Sequence, residues 1–381
     1  MSNPPSFLLR YISDYSLADL KSMVSEFFNV KDAFIDVAGN PTFILQIEPV
    51  KLKFKEFSKR MLDLQLLPIL RRSENSLILK VFSRPKPRQE RKGLGMILFI
   101  ATLTTIFIAG YVLWTGNRLW SEILMPNSNP YIQAAIYTAC LASIIGSHEL
   151  GHKIACSRHA LSASTPYFIP GFPPFGTFGA IISLKDPPAN RDELFDIGVS
   201  GPLSGFIVMM LVVLISMVLG IQVPESQAKA LEEQNLVGPV YWPNSPLIFI
   251  GLFWIVESLK LVTMPQEWTL ILGQTLFAAW VGSLVTFLNL LPIWQLDGGH
   301  ISRAVFSRKG HQYTSILGLG ILVLSGYWFF ALFLIFLMAA SKHAWSAAEP
   351  LEDVSPLSKG RKLFYAVILF ILILCFVTPP I

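Results

Sequence analysis

Along the first 85 positions, apolar residues recur at helical and strand periods in turn. In SLADLKSMVSEFF, Leu17, Leu20, Met23, Val24 and Phe27 keep helical spacing behind Ser16, a candidate N-cap. AFIDVAGNPTFILQI reads as two short strands around Gly39-Asn40-Pro41. KLKFKEFSKRMLDLQ sets Leu52, Phe54, Phe57 and Met61 on a second amphipathic helix, and LLPILRRSENSLILKVF reads as a second hairpin. The predicted order is αββαββ, a soluble α+β domain over residues 1–85. SRPKPRQERKG then predicts a basic linker over 86–93. From 94 to 381 the periodicity gives way to continuous apolar runs.

A hydrocarbon core about 30 Å thick needs roughly 20 apolar helical residues. Runs 94–115, 131–156, 196–220, 270–294 and 363–378 meet or approach that length. The run 312–341 is broken at Ser325-Gly326 and predicts either one tilted helix or a hairpin of two short ones. The run 245–264 is apolar but contains Glu257 and Lys260.

Composition sharpens the division. Of 381 residues, 52% are hydrophobic and only 14% charged, against about 25% charged in soluble chains. Residues 1–92 hold 16 of the 30 Lys and Arg, leaving 14 for the other 289 positions. The expected fold is therefore a polytopic α-helical membrane protein of about six or seven spans behind the α+β domain. The basic stretch before the first run puts that domain in the cytoplasm. No basic and apolar leader pattern opens the chain, which makes a prokaryotic plasma membrane the expected location. Lys51, Lys53, Lys55, Lys59 and Arg60 read as a solvated helix face, so no nucleic-acid partner is expected. Cys140, Cys156 and Cys375 lack paired spacing and read as small buried hydrophobes.

Polar residues inside the apolar runs carry the chemistry. LASIIGSHELGH places His148, Glu149 and His152 at the end of the second run. On a helix His148 and His152 share a face, the arrangement of a two-histidine zinc site, and Glu149 beside the first is the natural general base. Ionisable residues in a spanning helix cost about 2.5–3.5 kcal/mol each on insertion scales, and a bound metal would offset that. A catalytic zinc needs a third protein ligand, and Asp297 in LNLLPIWQLDGGH is the best candidate. Gly298 and Gly299 would let the backbone approach the ion. His159, His311 and His343 sit in basic loops and read as solvated, while His300 reads as interfacial or as a neighbour of the site.

These motifs resemble the site-2 protease family of intramembrane zinc metalloproteases, which pairs H-E-x-x-H on one span with L-D-G on a later one. NLLPIWQLDGGHI matches the second motif, and PYFIPGFPPFGTFGAIISLKDPPANRDELFDIGVSGPLSGF is similar to the chloroplast, cyanobacterial and archaeal branch. EPLEDVSPL and FVTPPI also resemble that branch, and no PDZ insertion is visible. The resemblance covers residues 130–381. It implies one Zn2+ per chain on His148, His152 and Asp297, with Glu149 activating water. It also implies single-span transmembrane substrates within the lipid bilayer, and contact of Asn289 with the substrate or the oxyanion. It places a membrane-dipping β element at GTFGAIISL, where Gly176, Thr177, Phe178, Gly179 and Ala180 would hold an extended substrate. Gly201, Pro202 and Gly205 read as small packing residues with no chemistry. The N-terminal domain is accessory and leaves room for a regulatory partner. The alternative is a transporter, or a metal-binding scaffold without proteolysis.

A shared metal constrains the topology. The spans ending at His152 and at Asp297 must finish on the same side, with 196–220 running outward between them. Residues 221–267 must then begin and end outside. The run 245–264 is therefore expected to be re-entrant or to lie on the outer surface.

Overall fold

The computed structural model describes residues 15–84, 93–117, 119–234, 245–261, 268–271, 273–340 and 349–377. The expected linker at 86–93 thus lies almost wholly outside the described residues, as do His343 and the end of FVTPPI.

The N-terminal region has the predicted order: α1 (Leu17–Ser25), β1 (Val30–Ile35), β2 (Pro41–Leu45), α2 (Lys51–Asp63), β3 (Leu66–Ser73) and β4 (Ser76–Ser83). Ser16 caps α1 in a reciprocal box with Asp19, satisfying amide groups that a helix start leaves open. Gly39, at φ +82°, turns the first hairpin. The strands form one antiparallel sheet in the order β1-β2-β4-β3. Its core is built from Leu20, Phe43, Phe54, Phe57, Leu70 and Leu79.

The apolar body follows: α3 (Leu94–Gly116), a π-helical turn (Leu119–Leu124), α4 (Pro130–Arg158), β5 (Tyr167–Pro170), β6 (Thr177–Ile181) and α5 (Arg191–Val218). Next come β7 (Ile221–Pro224), α6 (Glu225–Glu233), α7 (Leu247–Ser258), β8 (Trp268–Ile271) and α8 (Gln274–Leu290). The chain ends with α9 (Asp297–Val305), α10 (Arg308–Leu324), α11 (Trp328–Ala340) and α12 (Lys359–Leu374). One continuous core runs through the bundle, from Leu141, Ile144 and Met209 to Trp280, Phe287 and Ile368. Its outer surface is also apolar, with Ile100, Leu211, Phe333 and Phe370 exposed, a surface suited to lipid rather than water.

Among the described residues only α3 and α5 are both long and apolar enough to cross a bilayer alone. The expected six or seven spans are therefore not all present as full-length apolar helices. The 29-residue α4 carries the polar HELGH segment and Lys153 in its second half. The run expected at 270–294 begins as strand β8, starts its helix only after Gly273, and stops before Pro292. The run 312–341 is two helices, parted at Ser325–Tyr327 where Gly326 takes φ +88°.

The segment 245–264, expected to be re-entrant or on the outer surface, is described as far as residue 261. Helix α7 has 12 residues, roughly 18 Å at the rise of an α-helix, too short to cross. Strands β7 and β8 pair antiparallel from Ile221↔Ile271 to Pro224↔Trp268, so the chain between them leaves from and returns to one place. Trp114, Leu119, Val223, Leu231 and Ile271 form a small separate core there.

The N-terminal domain is fastened to the bundle. Lys51 and Lys55 of α2 pair with Asp192 and Glu193 at the start of α5, and Arg84 pairs with Asp186. Two members of the helix face expected to be solvated are thus docking groups, because acidic α5 residues lie opposite them. Residues 349–357 run between the two parts: Leu70 N–H donates to the Leu351 carbonyl, while the Leu351 and Glu352 amides donate to the Pro188 and Ala189 carbonyls. Burial works against charge on Asp353. Hydrogen bonds and positive charge from Arg303 and Arg191 outweigh it, and the carboxyl stays below the usual range.

Candidate metal centre

Helix α4 brings His148 and His152 to one face, one turn apart, and both are buried. Asp297 is the first residue of α9, delivered by the turn that follows α8. His148 Nε2 lies 3.2 Å from Asp297 Oδ2, His152 Nε2 lies 3.3 Å from Asp297 Oδ1, and the two Nε2 atoms are 3.2 Å apart. Among the described residues these three are the group whose ligand atoms converge closely enough for a metal.

The donor set fits zinc. Bonds of about 2.0–2.2 Å at a tetrahedral angle place neighbouring ligand atoms about 3.3–3.6 Å apart, close to each observed edge. An ordinary His–Asp ion pair does not require two ring nitrogens to face each other, whereas a common cation does. The tautomer also fits. His152 Nδ1 donates to the Ile197 carbonyl at 2.9 Å, which leaves the Nε2 lone pair turned inward. Pro202 lacks the N–H that would bond the Gly198 carbonyl, relaxing α5 at the turn that supplies this acceptor.

The site rests on a row of glycines in α5. A Cβ at Gly201 would collide with the Nε2 edge of the His152 ring. One at Gly205 would sit 3.2 Å from His148 Cβ, and one at Gly198 would sit 3.1 Å from the Asp297 carbonyl. Each metal-facing segment is thus seated on one glycine of a single helix face, at spacings of three and four. Gly201 and Gly205, expected only to pack, thus share this face with Gly198, and the i, i+3, i+7 spacing of the three is the sequence signal for it. Gly298 and Gly299 let the backbone bend sharply: a side chain at either would collide with the Leu290 or Trp294 carbonyl, so they close the turn behind Asp297.

Glu149 is buried beside His148 on α4. Asn289, half-buried near the end of α8, makes no hydrogen bond among the described residues. His311 is buried, not solvated: α10 folds back on α9 and its Nδ1 meets Ser302 Oγ at 2.7 Å. His159 contacts Asp196 at 3.0 Å. His300 is half-buried on the helix that Asp297 opens.

The β5–β6 hairpin dips along α3 and α4. At its base, Thr165 meets Gly95, and at its tip Thr105 Oγ1 donates to the Gly176 carbonyl at 2.7 Å. Ten residues of α3 separate those contacts, roughly 15 Å. On α4, Tyr137 donates to the Pro174 carbonyl at 3.2 Å, 11 residues or roughly 16 Å before His148. Beyond β6 the chain reaches Leu184, which packs by Ala155 and Cys156, so the hairpin runs back along the half of α4 that carries His148.

Within β6 the expected substrate residues differ in availability. Gly176 is pressed against Ile106, at φ +78°. Thr177 Oγ1 donates to the Ile169 carbonyl and accepts from Gly179 N–H, bracing the hairpin internally. Phe178 is exposed and touches Phe172. Gly179, at φ +90°, has open space beside it, and Ala180 pairs with Phe168. The sheet ends at two strands.

Comparison with known proteins agrees with this chemistry. The chain is 29% identical over 288 residues to a probable zinc metalloprotease, EGY2, chloroplastic, of Oryza sativa subsp. indica, covering 74% of this chain and 49% of that protein. It is 26% identical over 250 residues to a probable zinc metalloprotease, EGY1, chloroplastic, of Arabidopsis thaliana, covering 61% of this chain and 44% of that protein. The chain spans about half the length, or less, of the curated relatives it matches. No solved structure matches it. The sequence pattern of Peptidase family M50 matches residues 136–333, just over half of the chain and inclusive of all three converging ligands, and the chain belongs to that family.

Proposed function

We propose that this chain is an intramembrane zinc metalloendopeptidase that hydrolyses peptide bonds of single-span transmembrane proteins. The observation that carries this reading is the triangle of His148 Nε2, His152 Nε2 and the Asp297 carboxylate, with Glu149 adjacent. Relatives named as zinc metalloproteases support the metal assignment. A transporter or inert scaffold has no comparable observation in its favour.

His148, His152 and Asp297 would hold one zinc ion. When bound, zinc supplies a Lewis acid and lowers the pKa of water from about 15.7 towards 7. Glu149 takes a proton from the attacking water and returns it to the leaving amine nitrogen. A helical substrate hides its peptide bonds in internal hydrogen bonds, so it must unwind before attack. The free edge of β6, with Phe178 and Ala180 alongside, can pair with the unwound segment at the depth of His148. Gly176 and Thr177 contribute backbone and bracing rather than side-chain contacts. Asn289 can use its unpaired amide on the substrate or the oxyanion.

The protein is best read as multi-pass, with six or seven membrane-traversing elements around a zinc site near the cytoplasmic face. The domain 1–85 lies in the cytoplasm and the catalytic body extends from 94 to 381, in a prokaryotic plasma membrane. A regulatory partner would act through the N-terminal domain. Lys260 then faces outside. A cysteine at position 260 should react with an impermeant maleimide from the external side only; labelling from the cytoplasmic side would refute this topology.

The functional test compares membrane-derived peptide fragments in cells carrying wild type or Glu149→Gln. Fragments ending inside single-span helices should appear with wild type and vanish with the variant. Identical fragment sets in both would refute the reading.

A further inference from the structure

We infer that Arg303 and Asp353 are positioning residues for the metal ligand Asp297, and that through them the N-terminal domain holds the metal site in register. This rests on the zinc reading above and goes beyond it.

Arg303 lies on the same nine-residue helix as Asp297, at its far end, and its side chain is 1% exposed. Its NH2 and NH1 donate to Asp353 Oδ2 and Oδ1 at 2.6 and 3.2 Å, a two-pronged grip that fixes direction as well as distance. Asp353 Oδ1 also accepts from Arg191 Nε at 2.8 Å. One carboxylate therefore ties α9, which carries Asp297, to the start of α5, whose glycine row seats all three ligand segments.

Asp353 is itself held by the N-terminal domain. Its amide lies 3.4 Å from the Leu70 carbonyl, two residues after Leu351, which is buried in that domain's core. Arg71 NH1 donates to the Leu351 carbonyl at 2.8 Å, and Arg71 NH2 pairs with Glu349 at 3.1 Å. The connected path runs from β3 through residues 349–353 to Arg303, then along one short helix to Asp297. Nine residues make two and a half turns with little internal cooperativity. The helix is held on its Asp297 side by the packing of Asp297, His300 and Ile301 against Gly198 of α5, and at its far end by Arg303. Releasing Arg303 lets the Asp297 end tilt, and ligand geometry tolerates little displacement.

The test is zinc affinity of the full-length protein in detergent, measured by competition with a chromophoric chelator. Asp353→Asn keeps the shape but removes the charge opposite a buried guanidinium. It should weaken zinc binding about 10-fold, the low end of the range for groups bonded directly to a metal ligand, because Asp353 acts on Asp297 through Arg303. Leu231→Ala, in the small core at the opposite end of the bundle, should lower thermal stability while leaving zinc affinity within twofold. That comparison separates positioning from general destabilisation. If Asp353→Asn does not fold, Arg303→Lys replaces it, since lysine keeps the charge but not the two-pronged geometry and should also weaken zinc binding. Wild-type affinity in the folded Asp353→Asn protein, or in Arg303→Lys where that is used, overturns this inference alone. Absence of zinc binding by wild type overturns both it and the metal reading.

Discussion

Replacing Glu149 by glutamine should reduce cleavage of a purified single-span substrate by at least about 10²- to 10⁴-fold, the range contributed by a positioned acid–base group. The amide keeps the size of the carboxylate but cannot accept a proton from water at neutral pH. Zinc content should stay at one per chain, because the converging ligand atoms belong to His148, His152 and Asp297. The fold should also survive, since the Glu149 side chain makes no hydrogen bond among the described residues that the amide would lose. Cleavage at wild-type rate by this variant would remove Glu149 from the mechanism.

The second large effect is expected at a residue with no reactive group. Gly201→Ala drives a methyl into the Nε2 edge of the His152 ring. In an isolated helix this change is favourable by about 1 kcal/mol, so helix propensity predicts a slightly stabler protein. Contact geometry predicts the reverse for the site: either the ring swings away from Asp297, or α5 moves off α4 and carries its other two glycine seats with it. Zinc affinity should fall more than about 100-fold, with cleavage lost in parallel. Gly320→Ala is the matched control, because a Cβ there meets nothing within 4 Å. Normal zinc binding by Gly201→Ala would show that the α4–α5 contact does not set the His152 position.

Much of this was legible in the sequence because its physics is local. A histidine pair at i and i+4 shares a helix face wherever the helix sits, and the N-terminal αββαββ order follows from periods readable within 15 residues. Asp297, 145 positions after His152, became legible only because zinc requires a third ligand. The same requirement led to the expectation that 245–264 does not cross, and the 12-residue α7 is short for a crossing. Other features depend on contacts between distant residues and have no local signature. Leu70 bonding with Leu351 and Asp353 is one example. The burial of His311 is another, since its sequence neighbours Arg308 and Lys309 suggest a wet loop while its ring is sealed against Ser302. At Gly298 and Gly299 the sequence shows that small residues are needed for a bend, but not that the Leu290 and Trp294 carbonyls are what require them.

Helix boundaries differed where hydropathy was the only guide. The run 270–294 is apolar throughout, yet its first residues pair as a strand and Pro292 lies beyond the helix end. Apolar character reports burial or lipid contact and does not distinguish strand from helix.

Two imidazoles and one carboxylate from this chain are expected to hold a zinc ion within the bundle. Zinc-edge X-ray absorption of the full-length protein in detergent tests it most directly. The predicted spectrum has a first shell of nitrogen and oxygen only, with outer-shell scattering from two imidazoles that disappears in the His148→Ala, His152→Ala double variant. A sulfur shell, or imidazole scattering unchanged in that variant, would contradict the account.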